Sequence, residues 1–208
     1  MTHSLSIGTD SDRALLLDFQ ATLETKPEKA IKLEKDALAQ IETITADNAR
    51  LVSNLHANLG GLYRMNGHPD LAREHMEKSI SLLDQFNLLH INDSIPQIAN
   101  YAMFLAEQQE PERGISELQK LSGIIKEYHS DDCLDYAKVQ ETLATIYLMT
   151  ANLSQAKTHF KKAFKIYEKI WADEPELIEV KYQEIQELYP QVGFFLGQQI
   201  STFLTKQL

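Results

Sequence analysis

Three stretches decide the fold: KPEKA at residues 26–30, HPDLA at 68–72 and EPERG at 110–114. Each reads proline, acid, any residue, then alanine or glycine, and the prolines are 42 residues apart. Proline is favoured at the first position of a helix, where its missing N–H would have no intrahelical partner, and a following acid suits the positive end of the helix dipole. The stretches therefore predict three helix starts in one repeating unit. A fourth copy is expected one interval further on, at residues 153–156, where leucine replaces the proline.

The 42-residue interval divides the chain into repeated frames, and positions are numbered from 1 within each frame. We expect residues 1–10 to be a tail and residues 11–208 to be a single domain of stacked repeats. The last repeat is expected to be a degenerate cap, because terminal units of such arrays lose the repeat pattern. The frames are 11–52, 53–94, 95–136, 137–178 and 179–208.

Residue types recur at fixed frame positions. Position 7 is apolar in every frame, and position 20 is alanine or glycine in the first four, which lets a second helix approach closely. In the three middle frames position 8 is glycine or alanine and position 24 is large and apolar. The first frame instead has Asp18 and Glu34 at these two positions. We interpret this departure as the loss of pattern that a capping unit shows.

Apolar residues within a frame follow helical spacing. Leu55, Leu59, Leu62 and Tyr63 lie at i, i+4, i+7 and i+8, and no segment shows sustained strand-like alternation. The expected fold class is all-α, with ten helices in five antiparallel pairs. Turns are predicted at 25–26, 66–68, 109–110, 151–152 and 190–191, with wider loops near 87–94 and 130–132.

Composition narrows the classes of function. The chain has 208 residues, is 43% hydrophobic and carries a net charge of −10. Such an acidic chain repels phosphate backbones on average, so nucleic acid is not an expected partner. There is no apolar run long enough to cross a membrane and no cationic, then apolar, export signal at the start. We expect a globular cytoplasmic protein that has no membrane association.

Two segments resemble a known family. The pattern NLGxxY at 58–63, followed by Gly67 and AxxxM at 72–76, resembles the tetratricopeptide repeat signature, and LAxxY at 143–147 with AxxxF at 156–160 resembles it again. The usual repeat has about 34 residues. The longer interval in this chain resembles the kinesin light chain type of the family. The resemblance implies a right-handed superhelical solenoid whose first helices line a concave groove.

The same resemblance implies where a ligand binds. Positions 2, 5, 6, 9 and 13 of the first helices face the groove, and the kinesin light chain type uses asparagines at position 6 to hydrogen-bond an extended peptide backbone. Asn58 and Asn100 occupy that position. The alternative is that both amides bond neighbouring helices or water. The predicted peptide-binding residues are Asn54, Asn58, Gly61, Met65, Asn100, Met103, Lys138, Thr142 and Thr145.

The expected function is a non-catalytic scaffold that binds a protein or peptide segment, without cofactor, metal or catalytic residues. We expect the segment to present apolar side chains to Met65 and Met103. We also expect it to carry basic character that complements the charge of the acidic surface. The histidines are scattered and form no His-Glu-x-x-His pattern. One alternative is self-association as a homodimer through the apolar residues 192–204 near the C-terminal end. Another is a small-molecule sensor or an enzyme, for which no convergent acid, base and nucleophile can be named.

Overall fold

The structure, a computed structural model, describes residues 9–188. These residues form α-helices joined by turns and loops, with no β-strand among them. The predicted all-α helical-repeat fold is confirmed. The nine helices within the described residues are α1 (Asp10–Leu23), α2 (Pro27–Leu38), α3 (Ala49–Met65), α4 (Pro69–Gln85), α5 (Ser94–Glu107), α6 (Pro111–Tyr128), α7 (Leu134–Met149), α8 (Leu153–Ile170) and α9 (Pro175–Leu188).

The chain divides into two compact units, residues 1–101 and 102–208, and the boundary falls inside α5. In the first unit α1 packs against α2, α2 against α3 and α3 against α4. In the second unit α6 packs against α7, α7 against α8 and α8 against α9. Packing between sequence neighbours is what stacked helical hairpins require, because each hairpin buries its flank against the next.

The helix starts agree with the proline register. Pro27, Pro69 and Pro111 are the first residues of α2, α4 and α6. In the fourth copy, which lacks proline, the side chain of Asn152 caps α8 by accepting a hydrogen bond from the backbone N–H of Gln155. Asparagine is a strong N-cap residue. Equivalent helices therefore begin in two different ways, with a proline at the first position or with an asparagine N-cap.

The turns before α4, α6 and α8 share one backbone geometry. Gly67, Gln109 and Ala151, all at frame position 15, have φ of 75°, 65° and 58°. In the first of these turns the N–H of His68 donates to the carbonyl of Tyr63 at 2.9 Å, which closes the preceding helix in a Schellman motif. Glycine adopts this conformation freely. The two other residues accept a strain of about 1 kcal/mol each.

The connections account for part of the 42-residue interval. Loops lie at 86–93 and 129–133, as predicted, and α2 and α3 are joined by residues 39–48, a connection that the sequence pattern did not predict. Long helices account for the rest, since α3 and α4 have 17 residues each. The predicted turn at 190–191, the second helix of the fifth frame and the apolar residues 192–204 lie outside the described residues.

Small residues bring helices into close contact. A Cβ atom on Gly60 would lie 2.5 Å from Met76 Cγ and 3.3 Å from the carbonyl oxygen of Ala72, which joins frame positions 8, 20 and 24 in one contact. A Cβ atom on Gly114 would lie 2.5 Å from the carbonyl oxygen of Ala102. The predicted role of these positions in helix packing is therefore seen directly.

A polar pair recurs between frame positions 4 and 23. His56 Nδ1 lies 2.9 Å from His75 Nδ1, and His159 Nδ1 lies 2.9 Å from Gln140 Oε1. His75 and His159 each stack on the tyrosine at position 11 of the same frame, with ring centroids 5.4 and 5.3 Å apart. Burial lowers the pKa of His56 and of His159 to about 4, and it lowers the pKa of His75 as well. These histidines are neutral parts of the packing.

We expect this burial to make the protein sensitive to acid. A histidine in the unfolded chain takes up a proton near pH 6.5, whereas His56 and His159 resist protonation down to about pH 4 in the folded chain. The stability that they contribute above pH 6.5 is therefore lost as the pH falls towards 4. Replacing His159 by glutamine should flatten this dependence. Urea unfolding at pH 7 and pH 4.5 measures it, and an unchanged slope in the variant would contradict the assignment.

Candidate functional site

Two neighbouring pockets lie on the first unit beside α3. One has a volume of about 190 Å³ and the other of about 400 Å³. Ala57, Gly61, Met65 and Asn100 line both of them. The two pockets therefore share one wall, formed by α3 and by the part of α5 that belongs to the first unit. We call them the double pocket.

Most of the predicted groove residues of the first unit lie in the double pocket. Gly61, Met65 and Asn100 line both halves, and Asn58 lines the larger half. The side chain of Met65 is 82% exposed. A Cβ atom on Gly61 would meet nothing within 4 Å among the described residues. This glycine therefore leaves open space that a side chain would fill.

Asn54 is the exception among these residues. It lines neither half, and its Oδ1 accepts a hydrogen bond of 2.6 Å from Gln97 Nε2. Gln97 Oε1 in turn accepts hydrogen bonds from the hydroxyls of Ser53 at 2.8 Å and Ser79 at 2.6 Å. All three members of this inner cluster, Ser53, Ser79 and Gln97, are buried. Asn54 is thus held at the edge of a structural polar network.

The sequence does not predict this network, but one feature of the sequence reflects it. Ser79 interrupts the apolar helical spacing between Met76 and Leu83, where another apolar residue would be expected. A buried hydroxyl needs a partner, and the partners come from α3 and α5. Their identity could be read only from the packing.

Asn58 connects two acidic side chains. Its Nδ2 donates to Asp18 Oδ1 at 2.9 Å and to Glu34 Oε1 at 3.1 Å. The sequence leaves two roles open for the Asn58 amide, namely binding a peptide backbone or bonding neighbouring helices or water. In the structure the amide bonds residues of the neighbouring helices α1 and α2. Asn100, its counterpart one repeat further on, is exposed and lines both halves of the double pocket.

Glu34 is the most unusual group in the site. It is 2% exposed, and its Oε2 has no hydrogen-bond partner among the described residues. Burial, and then the charge of Asp18, raise the pKa of Glu34 to about 8. From the sequence, this residue is recognised only as a break in the repeat pattern. The structure places it in the hairpin core and in the wall of the larger pocket.

In the second unit the predicted residues have varied surroundings. Met103 is half-buried, and Lys138 Nζ lies 4.0 Å from Asp135. The hydroxyls of Thr142 and Thr145 donate to the backbone carbonyls four residues earlier in α7. Both threonines therefore have partners within their own helix.

A third pocket, of about 270 Å³, lies on the second unit. Lys138 lines it together with Tyr167 and Trp171, whose rings stack with centroids 4.7 Å apart. Glu141 Oε2 accepts a hydrogen bond of 2.7 Å from the Tyr167 hydroxyl, and Glu141 Oε1 lies 2.9 Å from Lys181 Nζ. The stacked aromatic pair was not predicted from the sequence.

Residues 9–188 include no helix with both the length and the apolar character that crossing a bilayer demands. In the same part of the chain, no three or more His, Cys, Asp or Glu side chains are grouped so that they could hold a metal ion.

Residues 94–169 match the tetratricopeptide repeat family. The crystal structure of BtubC (BKLC) from P. vanneervenii is 17% identical with a TM-score of 0.71, over 94% of this chain and 77% of that one. A putative kinesin light chain of Podosopora anserina with nearly identical TPR-like repeats is 14% identical with a TM-score of 0.65, over 79% of this chain and 80% of that one. MamA is 15% identical with a TM-score of 0.56, over 75% of this chain and 79% of that one.

No curated protein matches the sequence. At sequence identities of 14–17%, the similarity to the solved structures concerns the fold alone. The chain is thus a TPR-like helical-repeat protein, with a family match over residues 94–169 and repeats that resemble those of the kinesin light chain type.

Proposed function

We propose that the first unit is a peptide-binding module and that the double pocket is its site. A TPR-like fold supports a protein-interaction scaffold in general. The observation that carries the proposal is the open wall of α3. Gly61 leaves the helix backbone uncovered between the two halves, and Met65 lies exposed beside it. A rigid helical wall of this kind binds a segment with little ordering cost on the side of the receptor.

The proposed occupant is a segment that carries both basic and apolar side chains. The ionisable residues lining the larger half, among those described, are the carboxylic acids Glu24 and Glu34. The chain as a whole carries a net charge of −10. Charge complementarity therefore favours a basic partner.

Apolar character comes from α1. Leu15, Phe19 and Leu23 are exposed and lie at i, i+4 and i+8 on that helix, and Phe19 is 61% exposed. They occupy frame positions 5, 9 and 13, which in the next frame hold Ala57, Gly61 and Met65. Exposed apolar side chains at such positions suit contact with apolar groups of a partner.

Replacing Gly61 by glutamine should abolish peptide binding without harming the fold. Glutamine is the better helix former by several tenths of a kcal/mol, and its side chain would fill the open space at the shared wall. Peptides selected from a random library on the wild-type chain are titrated against both proteins by isothermal calorimetry. We expect the variant to bind at least about tenfold more weakly, roughly 1.4 kcal/mol.

The matched control is Gly123→Gln, since Gly123 is also a glycine inside a helix with nothing within 4 Å of its Cβ position. This variant should keep the wild-type affinity. Asn100→Ala probes the polar part of the site, because Asn100 lines both halves. Asn58→Ala is less informative, since it also removes a donor from a buried carboxyl group. Equal binding by the Gly61 and Gly123 variants would rule out the double pocket as the site.

A further inference from the structure

The contact between frame positions 8 and 24 has a different chemistry in the first repeat. In the second repeat Gly60 packs against Met76 at these positions, so closely that a Cβ atom would overlap the methionine. In the first repeat the same positions hold Asp18 and Glu34. An apolar contact in the core of one hairpin is thus replaced in another by the buried Glu34 and the half-buried Asp18.

Such a replacement opposes folding. A buried carboxyl group that lacks a full set of hydrogen bonds destabilises the folded state, and replacement by apolar residues of similar volume is often stabilising. Glu34 is buried, and one of its oxygens has no partner among the described residues. Asn58 supplies a single hydrogen bond to the other oxygen. The pair is therefore not explained by the stability of the hairpin.

Glu34 borders a space that a ligand group can enter. Glu34 and Asn58 line the larger half of the double pocket, which has a volume of about 400 Å³. The last torsion of a glutamate is soft, so the Oε2 atom can turn towards a group in this pocket. Basic side chains are absent from the described lining of the larger half. Arg64 lines only the smaller half.

At neutral pH Glu34 holds a proton in the folded chain. Burial and the facing carboxylate of Asp18 on α1 keep the pKa of Glu34 near 8, while the uncharged amide of Asn58 on α3 lowers it in part. The carboxyl groups of Asp18 and Glu34 lie close together, because the amide nitrogen of Asn58 donates to both of them, at 2.9 and 3.1 Å. Two carboxylates this close do not both ionise readily, because like charges repel. A positive charge from a ligand would remove that obstacle.

We propose that Asp18 and Glu34 are the acceptor for one lysine or arginine side chain of the segment that the first unit binds. This proposal rests on the proposed function and names the chemistry of one anchor. The cationic group enters the larger half and donates to Glu34 Oε2. The proton held by Glu34 then leaves to solvent, so that the ammonium or guanidinium is bound by the Glu34 carboxylate, with Asp18 joined to it through the Asn58 amide.

The test uses a small probe in place of a peptide. We titrate ¹⁵N-labelled full-length protein with n-butylammonium chloride at constant ionic strength, and with n-butanol as the neutral counterpart. The backbone amides of Gly61 and Asn100, which line the pocket, are followed by NMR. We expect saturable shifts with the cation and none with the alcohol. The affinity should rise as the pH is raised from 6.5 to 8.5, because the proton competes with the cation.

Three variants separate this site from general attraction to an acidic surface. Glu34→Gln keeps the shape and the hydrogen bond from Asn58 but cannot ionise, and it should lose the saturable shifts. Asp18→Asn should weaken them, as a second and less buried change. Glu24→Gln removes the other carboxylate that lines the same pocket and should change the affinity less than twofold. Circular dichroism establishes that each variant is folded.

Several results would overturn the proposal. These are equal shifts with the alcohol, unchanged affinity in Glu34→Gln, affinity that does not depend on pH, or shifts that calcium chloride produces and the butylammonium ion does not. The outcome is independent of the peptide experiment. A working cation site in a chain whose selected peptides ignore Gly61→Gln would refute the peptide module alone, and the reverse result would refute the cation anchor alone.

Discussion

Gly114→Ala is expected to destabilise the second unit by about 1–3 kcal/mol, the range found when a well-packed contact is overfilled. The new methyl group would lie 2.5 Å from the carbonyl oxygen of Ala102. That oxygen belongs to a helix backbone and cannot rotate away as a side chain would. The loss should outweigh the gain of about 1 kcal/mol that alanine brings to a helix. Urea unfolding followed by circular dichroism measures the difference.

Gly123→Ala is the control for this substitution. Gly123 lies in the same helix, α6, with no described atom within 4 Å of its Cβ position. There the gain in helix propensity acts alone, so the variant should be more stable than the wild type by roughly 0.5–1 kcal/mol. If Gly114→Ala were as stable as Gly123→Ala, the close approach of α5 and α6 would be wrong.

Glu34→Met is expected to stabilise the first unit, by about 1–4 kcal/mol at pH 8. Methionine occupies the equivalent position in the second repeat, where Met76 is buried against Gly60. The substitution removes a buried carboxyl group and keeps a side chain of similar size. The same variant should lose the cation site, so stability and binding should change in opposite directions.

The pH dependence identifies the cause of this stabilisation. The pKa of Glu34 is raised from 4.5 to about 8 in the folded chain, so the folded state holds the proton more tightly than the unfolded state does. The contribution of Glu34 to stability is therefore fully present below pH 4.5 and is lost as the pH rises towards 8. The advantage of Glu34→Met over the wild type should grow across that window. A variant that is less stable than the wild type at every pH would show that Glu34 supports the fold.

Gly114→Ala and Glu34→Met both change a contact between packed helices. The first adds an atom to a close contact, and the second replaces a polar side chain with an apolar one. Gly114 shows what a repeat requires when helices touch backbone to backbone. At Glu34, the first repeat has a polar side chain where the second repeat has an apolar one. Natural proteins break local packing rules mainly at functional sites. The exception in the first repeat is therefore where we place the proposed cation anchor.

The repeat register was predictable because its signals are local. Proline, the acid that follows it and the apolar spacing within a helix act over a few residues, and α2, α4 and α6 begin at Pro27, Pro69 and Pro111 as expected. The left-handed turns at Gln109 and Ala151 were not predictable in the same way, because neither residue favours that conformation. The packing of the helices on either side imposes it.

The candidate site was predictable in part. The positions of Gly61, Met65 and Asn100 on the first helices follow from frame arithmetic and the resemblance to a known repeat, and these residues do lie together in the double pocket. The different surroundings of Asn54 and Asn58 depend on the residues that neighbouring helices present. Asn54 bonds to Gln97, which is 43 residues away in sequence.

The amino-acid sequence alone determined the all-α class, the 42-residue repeat and the places where most helices begin, since each depends on residues close together in the chain. Only the tertiary structure decided that Glu34 is buried and that one amide joins it to Asp18. Asn58 lies 40 residues from Asp18 and 24 from Glu34, and contacts over such distances form when helices pack. The burial that raises the pKa of Glu34 is likewise a property of the packed hairpins, because it is the surrounding helices that exclude water from the carboxyl group.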